Sequence, residues 1–226
     1  MKNKFEGIIL AAGFSERMNN WKPELKIDKL PIIIHTINSV ISFCQKIIVV
    51  GGFNYQNLKN LLTEEKYFSS DEIKKINLVE NKKYSDGMLS SVKAGFNFVD
   101  QETDGIFVLP GDMPFVLNET FNKLISRFDE NSVPDIFIPV TKIKLPTAQK
   151  DEINKKGHPV LIRKRIVSPI LAGENEIILR DVLKKFEQEL CQVDDKGIII
   201  DIDDVKDLER AKIYYEDLLI QQRGNK

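Results

Sequence analysis

Short apolar runs alternate with amphipathic segments through the first half of the chain. Four runs are rich in Ile and Val and end at Gly, Asn or Asp, as buried strands do: residues 7–10, 46–51, 75–81 and 105–112. Between them, apolar residues recur with the period of a helix in the segments 31–44, 55–68 and 87–99. Strands that alternate with helices predict βαβ units, right-handed crossovers and a mostly parallel sheet.

The second half of the chain continues this pattern less regularly. Residues 135–140 and 158–163 are predicted as strands, residues 197–204 as a last strand, and residues 205–219 as a closing amphipathic helix. The polar, lysine-rich segment 141–157 is predicted to be a mobile loop over a site, and the sequence leaves open whether it closes as a lid. We find no internal repeat, so we expect residues 1–226 to form one α/β domain with a three-layer, doubly wound sheet.

Composition and charge exclude several classes of protein. The 226 residues carry 33 Lys and Arg against 34 Asp and Glu, a net charge of -1, which gives no general reason to expect a nucleic-acid or membrane partner. No segment reaches the roughly 20 apolar residues of a membrane helix, and the first apolar run is too short for a secretory signal. Cys44 and Cys191 form no CxxC pair, so we expect two buried thiols in a cytoplasmic protein.

The first predicted strand leads into a loop of small residues followed by two cations. Ala11, Ala12 and Gly13 have little or no side chain, so their backbone can approach a ligand closely. Arg17 offers a planar fork for phosphate, and Lys22 offers a compact charge. The loop matches neither GxGxxG nor GxxxxGK[ST], which disfavours a nicotinamide oxidoreductase and a P-loop protein. From spacing alone, an ordinary turn with solvated cations remains an equal alternative.

Five motifs in order resemble those of the MobA-like nucleotidyltransferases. "LAAGFSERM" with "WKPEL" resembles the opening motif of that family, and it is followed by "DGMLSSVKAG", "LPGDMP", "GHPVLI" and "IIDIDDVKDL". The opening loop, GMLSS and GHPV are most similar to the molybdenum cofactor cytidylyltransferase branch. Asn19 departs from the family pattern, which has Gly after Met, although Asn tolerates a left-handed backbone better than most residues.

The resemblance implies a glycosyltransferase-A-like fold and assigns residues to a nucleotide and to an acceptor. Arg17, Lys22 and Asp112 are the implied catalytic residues. The implied nucleotide-binding residues are Leu10, Ala11, Ala12, Gly13, Arg17, Lys22, Gly87, Ser90 and Ser91, and the implied acceptor-binding residues are Gly157 and His158. Local capping remains an alternative for Ser90 and Ser91, and hydrogen bonding within the loop remains one for His158.

Two carboxylates are expected to bind a divalent cation. Asp112 ends an apolar strand, where a carboxylate is well placed for Mg²⁺, although a turn-forming role is the ordinary alternative. Asp201 and Asp203 are predicted to point to one side of the last strand, and the resemblance favours Asp201 as the second ligand. Helix capping is the alternative for Asp203 or Asp204. His35, inside an apolar helix, and Trp21 are expected to be structural.

The implied reaction is Mg²⁺-dependent transfer of CMP from CTP to molybdopterin, with release of pyrophosphate. A phosphate monoester has a second pKa of about 6, so the attacking group is already ionised and no general base is expected. The expected partners are a nucleoside triphosphate, a phosphate-bearing acceptor and a molybdoenzyme that receives the product. The alternatives are a guanylyl transferase, another cytidylyl or sugar-phosphate transferase of the same fold, or a non-catalytic cofactor-binding chaperone.

Overall fold

A mostly parallel sheet forms the centre of the computed structural model, which describes residues 3–14, 21–64, 66–144, 152–173 and 178–224. The described strands are β1 (Phe5–Ala11), β2 (Lys26–Ile27), β3 (Leu30–Pro31), β4 (Lys46–Gly51), β5 (Ile76–Glu80), β6 (Gly105–Pro110), β7 (Ile136–Lys144), β8 (Glu152–Lys156), β9 (Val160–Arg163) and β10 (Gln188–Gln192). The main sheet has the order β10-β7-β9-β6-β1-β4-β5, with β8 paired to β7, while β2 and β3 form a separate hairpin.

Helices cover both faces of this sheet. They are α1 (Ile32–Val40), α2 (Tyr55–Leu62), α3 (Ser70–Ile73), α4 (Met88–Phe96), α5 (Asn118–Glu130), α6 (Val167–Ala172), α7 (Leu179–Leu183) and α8 (Val205–Gly224). Alternate residues of β4 enter different cores, as strand geometry requires: Ile47 packs with α1, α2 and α5, whereas Ile48 packs with α4, α6 and α7. The predicted three-layer α/β architecture is therefore confirmed. No described helix has the length and apolar character needed to cross a membrane.

The parallel register brings three strand ends to one edge of the sheet. Leu10 of β1 pairs with Val50 of β4 on one side and with Pro110 of β6 on the other. The loops that follow these strands consequently leave the sheet side by side. This is the edge at which open α/β sheets bind ligands.

The predicted last strand at 197–204 is wrong. Lys196–Ile199 form a short 3₁₀ helix, and the chain from there to Asp204 is not part of the sheet. Packing explains the difference, because a Cβ added to Gly197 would lie only 2.0 Å from Phe115 O. The segment is thus held against the loop after β6, and its residues Ile198 and Ile202 are fully buried there without pairing in the sheet.

The lysine-rich segment 141–157 is also more regular than predicted. Residues 141–144 extend β7 and pair antiparallel with β8, so that Thr141 lies opposite Lys155. Residues 145–151, the rest of the predicted loop, lie outside the described residues. The helix predicted at 55–68 ends at Leu62, and the edge strand β10, with its largely polar sequence QELCQ, was not predicted.

A buried carboxylate fixes the 3₁₀ helix beside α5. Asp195 is 3% exposed and accepts hydrogen bonds from Leu117 N at 2.9 Å, Thr120 Oγ1 at 2.7 Å and Gly197 N at 2.7 Å. Asp195→Ala leaves these donors without an acceptor, so we expect it to lower the free energy of unfolding by about 3 kcal/mol. Thermal unfolding measures the change. The adjacent, exposed Asp194→Ala is the control, and equal melting temperatures for the two variants would contradict the expectation.

Candidate active site

A cavity of about 630 Å³ opens at the carboxyl ends of β1 and β6. This volume falls within the range of small-ligand sites, roughly 300–1,000 Å³. Its wall is contributed by the loop after β1, the turn before α4, the loop after β6, the end of β8 and the segment before α8. The lining residues used below are Leu10, Ala11, Ala12, Gly13, Lys22, Tyr84, Gly87, Met88, Ser91, Asp112, Lys155, Lys156, Gly157, His158, Asp201 and Asp203.

The loop after β1 presents its backbone to this cavity. Phe53 N donates a hydrogen bond to Ala12 O at 3.2 Å, which ties the loop to the end of β4. A Cβ added to Gly13 would meet no atom of the described residues within 4 Å, so none of them fills the space beside Gly13. The loop can therefore approach a ligand closely, as the small residues predicted. Residues 15–20 lie outside the described residues, and the assignment of Arg17 to phosphate binding stays a prediction.

Lys22 links two carboxylates across the cavity wall. Its Nζ lies 2.7 Å from Asp203 Oδ1 and 3.3 Å from Asp112 Oδ2, and its side chain is 14% exposed. Burial lowers the pKa of Lys22, but the contacts with Asp203 and Asp112 outweigh burial, so the pKa is raised overall. Lys22 is thus a cation in a partly buried site, where its charge is screened less than at the surface.

Asp112 is held in place by a tight turn at the end of β6. Gly111 N donates to Leu10 O at 2.9 Å, and a Cβ at Gly111 would lie 2.9 Å from Ile33 Cδ1, so a larger residue would not fit without a shift. Burial raises the pKa of Asp112, Lys22 counteracts this, and the charge of Asp201 raises the pKa further. The electrostatics of this carboxylate pair favour a further positive charge beside Asp112 and Asp201.

The segment before α8 brings both remaining candidate carboxylates to the cavity, although it is not the predicted strand. Asp201 acts electrostatically on Asp112 and on His158, whereas Asp203 contacts Lys22. The helix cap is Asp204, whose Oδ1 accepts a hydrogen bond from Asp207 N at 2.8 Å. Asp203 was expected to serve either as a second carboxylate of the site or as a cap, and the structure places it against Lys22.

The carboxylates form an incomplete metal site when considered alone. Among the described residues, no group of three or more His, Cys, Asp and Glu side chains is arranged to hold a metal ion. Asp112 and Asp201 nevertheless line one cavity and interact electrostatically. Such a pair fits Mg²⁺ in particular, because Mg²⁺ commonly takes one or two carboxylates and completes its shell with substrate phosphates and water.

The turn at Gly157 and His158 lines the end of the cavity opposite the turn before α4. Gly157 N donates to Pro139 O and His158 N donates to Ile198 O, both at 2.9 Å, and a Cβ at Gly157 would lie 2.1 Å from Ile198 O. Burial lowers the pKa of His158, which favours the neutral imidazole. Its Nδ1 is buried and has no hydrogen-bond partner among the described residues. His158 therefore offers a hydrogen bond through Nδ1 rather than a charge, while its ring also makes a hydrogen bond with the backbone of Val108.

Cations adjoin this turn. Lys155 and Lys156 line the same cavity, and neither was singled out from the sequence, although the lysine-rich composition of the segment was noticed. Lys156 Nζ lies 3.4 Å from Gln188 Oε1, an uncharged partner. This end of the cavity therefore combines positive charge with a neutral histidine.

The turn before α4 separates the two predicted serines. Ser91 lines the cavity, whereas Ser90 is not among its lining residues. Ser90 Oγ lies 2.7 Å from Lys83 O and 2.8 Å from Gly87 O, and Asn81 Nδ2 donates to both serine hydroxyls at 2.9 and 3.0 Å. Ser90 Oγ thus makes local hydrogen bonds, but the N-cap of α4 is Gly87 and has no side-chain cap hydrogen bond. The assignment of Ser90 to nucleotide binding stays a prediction.

The residues expected to be structural lie outside the cavity lining. His35 Nε2 lies 2.9 Å from Ile27 O, and its ring contacts Tyr215 at a centroid distance of 5.3 Å. Trp21 packs against the core between α1, α2 and α5. Cys44 and Cys191 are buried free thiols, and burial raises the pKa of Cys191 to about 11, which disfavours a reactive thiolate.

Comparisons with known proteins identify a family and a curated relative that match most of the chain. A family model described as a MobA-like NTP transferase domain matches residues 7–191. Molybdenum cofactor cytidylyltransferase of Escherichia coli (strain K12) is 28% identical over 211 residues, which are 93% of this chain and 97% of that protein.

Solved structures with the same fold include two that cover nearly all of the chain. The crystal structure of 4-diphosphocytidyl-2C-methyl-D-erythritol synthase from Anaerococcus prevotii DSM 20548 matches with a TM-score of 0.71 and 16% identity, over 96% of this chain and 100% of that one. A homologue of Mycobacterium tuberculosis Rv0371c, from Mycobacterium sp. strain JC1, matches with a TM-score of 0.73 and 19% identity, over 96% of this chain and 100% of that one. At these identities the structural likeness shows the fold alone.

Proposed function

The chain belongs to the MobA-like NTP transferase family and is a nucleotidyltransferase, and from this premise we propose that it transfers CMP from CTP to molybdopterin. The observation that supports the proposal most is the meeting of Lys22, Asp112 and Asp201 beside the small-residue loop, in a cavity large enough for a nucleotide. The choice of CTP and molybdopterin rests on the similarity to the E. coli cytidylyltransferase over 93% of the chain.

The proposed reaction needs charge neutralisation and positioning more than proton transfer. An oxygen of the acceptor phosphate forms a bond to the α-phosphorus of CTP, the bond to the β-phosphate breaks, and pyrophosphate leaves with the electron pair. Since a phosphate monoester has a second pKa of about 6, its attacking oxygen is ionised at neutral pH. Lys22 neutralises charge on the triphosphate, and the backbone of Ala12 and Gly13 permits its close approach.

Asp112 and Asp201 would hold Mg²⁺ in this proposal. When bound there, the ion supplies positive charge to the reacting phosphates. Lys22 keeps the carboxylates oriented through its contacts with Asp112 and Asp203. The same lysine limits the repulsion between the carboxylates and an incoming triphosphate.

The acceptor is assigned to the end of the cavity opposite the turn before α4. Lys155 and Lys156 provide positive charge for its phosphate, while Gly157 and the unpartnered Nδ1 of His158 provide a fixed surface and a hydrogen bond. We further propose that the enzyme works in the cytoplasm and that a molybdoenzyme receives the product. Both extensions depend on the identity of the acceptor.

Pyrophosphate release tests the choice of nucleotide. With Mg²⁺ and molybdopterin, CTP is expected to support release, while GTP and ATP support much less. Release with GTP alone would overturn the cytidylyl assignment and indicate a guanylyltransferase of the same family. Release with CTP but without dependence on molybdopterin would overturn the proposed acceptor.

A further inference from the structure

Three aromatic rings meet beside the small-residue loop. Phe14 follows Gly13, Phe53 follows the end of β4, and Tyr84 begins the short 3₁₀ helix before α4. The ring of Phe14 lies 5.1 Å from that of Phe53 and 4.9 Å from that of Tyr84, measured between centroids. Pairs at these separations are mutually stabilising, so the cluster joins three separate loops at one end of the cavity.

Tyr84 is the member of this cluster that lines the cavity, and its position is fixed from behind. A Cβ at Gly52 would lie 2.6 Å from Tyr84 Cβ and 2.9 Å from Ala12 O, so Tyr84 packs directly on the backbone at the end of β4. Phe14 contacts its ring edge-on, at an interplanar angle of 60°. The tyrosine is therefore held in place before any ligand binds.

The space beside Tyr84 is open and bordered by atoms of little polarity. In the part of the chain that the structure describes, Cβ atoms added at Gly13 and Gly87 would meet nothing within 4 Å, and Gly87 has a positive φ of 94° that favours glycine. Met88, the next residue, also lines the cavity and is 56% exposed, while Phe14 is 44% exposed. Exposed apolar side chains around a concave space indicate a site for an apolar ligand surface.

We propose that Tyr84, supported by Phe14 and Phe53, is a stacking surface for the base of the nucleotide. This proposal deepens the proposed function and rests on it. Lys22 and Asp112 assign the triphosphate to the loops after β1 and β6, which leaves the open space beside Gly87 and Tyr84 for a planar heteroaromatic ring. Aromatic side chains stack on bases with little dependence on which base it is, because every base has a π face.

The stacking surface predicts a particular pattern of nucleotide affinities. Loss of the ring at Tyr84 weakens binding of CTP and of competing nucleotides together, since stacking does not read the hydrogen-bonding edge of the base. Choice among bases must then come from polar groups nearby. Inorganic tripolyphosphate has no base, so its binding does not depend on Tyr84.

Calorimetric titration of the full chain with CTP and with tripolyphosphate, in the presence of Mg²⁺, tests the proposal. Tyr84→Leu is expected to weaken CTP binding by roughly tenfold or more and to leave tripolyphosphate binding unchanged. Tyr84→Phe keeps the ring and is expected to retain CTP affinity. Phe98→Leu removes an exposed aromatic side chain, 48% exposed and outside the cavity lining, and is the control.

Four results would overturn the stacking role. Unchanged CTP affinity in Tyr84→Leu would show that the base lies elsewhere. An equal loss of CTP and tripolyphosphate binding would assign Tyr84 to support of the small-residue loop instead. If the unaltered protein binds tripolyphosphate as tightly as CTP, the base adds no affinity, and the stacking role is wrong while the triphosphate site remains supported. If the unaltered protein binds neither ligand, both the stacking role and the proposed function are wrong.

Discussion

Asp112→Asn is expected to reduce Mg²⁺-dependent turnover by about a thousandfold, an effect of the size seen when a preorganised charge is removed from an active site. The amide has nearly the same shape as the carboxylate but carries no charge. Burial and the charge of Asp201 raise the pKa of Asp112, so a neighbouring cation would stabilise its ionised form. The substitution removes the charge on which cation binding depends in our account.

Pyrophosphate release at several Mg²⁺ concentrations measures this effect. Asp194→Asn makes the same chemical change at an exposed position and is the control. Thermal unfolding should show that Asp112→Asn remains folded, because its site still contains Lys22 and Asp203 in contact. If turnover and its Mg²⁺ dependence are unchanged, Asp112 does not bind the metal, and the two-carboxylate site is incorrect.

Lys22→Met is expected to lower kcat/KM for CTP by roughly a hundredfold or more, because the triphosphate loses a partly buried cation. Met keeps much of the length of the side chain without its charge. Lys22 contacts Asp112 and Asp203, so the substitution also leaves those carboxylates without this cation and should weaken binding of the triphosphate. We therefore expect both a higher KM for CTP and a lower kcat.

Steady-state kinetics with CTP separates the two contributions. Lys26→Met, at an exposed position of β2 outside the cavity lining, controls for a general loss of positive charge. Arginine at position 22 is not expected to restore full activity, since its planar fork differs in shape from the ammonium group. Kinetics for Lys22→Met equal to those of Lys26→Met would place Lys22 outside the triphosphate site.

The architecture was largely predictable because β1, β4, β5 and β6 are short, rich in Ile and Val and bounded by turn residues. Ile47 and Ile48 illustrate why: a strand buried on both faces is apolar at every position, and this pattern is hard to mistake. The order of such strands along the chain then predicts that their carboxyl ends share one edge. Ala12, Gly13 and Asp112 were assigned to one site by the family resemblance, and all three line one cavity.

The last part of the chain was predicted less well because its apolar residues do not indicate which elements they pack against. Ile198 and Ile202 are fully buried, and the alternating pattern around them suggested a strand. Tertiary packing determines the outcome instead, since Gly197 lies against Phe115 O and Asp195 accepts three hydrogen bonds from α5, its preceding loop and Gly197. The hydrogen bonds of Asp195 with Leu117 and Thr120 join residues 78 and 75 positions apart and leave no local signal.

The same limit applies to parts of the candidate site. Tyr84 was not singled out, because its neighbours Phe14 and Phe53 come from two other loops and the three residues form no motif in sequence. Lys155 and Lys156 were seen only as part of a polar loop, although they lie at the end of a strand that lines the cavity. The unpartnered Nδ1 of His158 likewise became apparent only once its burial was known.

The central claim is that this cavity transfers a nucleotidyl group to a phosphate-bearing acceptor. The most direct test is to incubate the enzyme with Mg²⁺, molybdopterin and CTP labelled at the α-phosphorus, and to follow the label together with pyrophosphate. The account predicts that the label appears in a product containing both CMP and molybdopterin, in equal amount to the pyrophosphate released. Label that remains in CTP, or that appears only as free CMP, would contradict the claim.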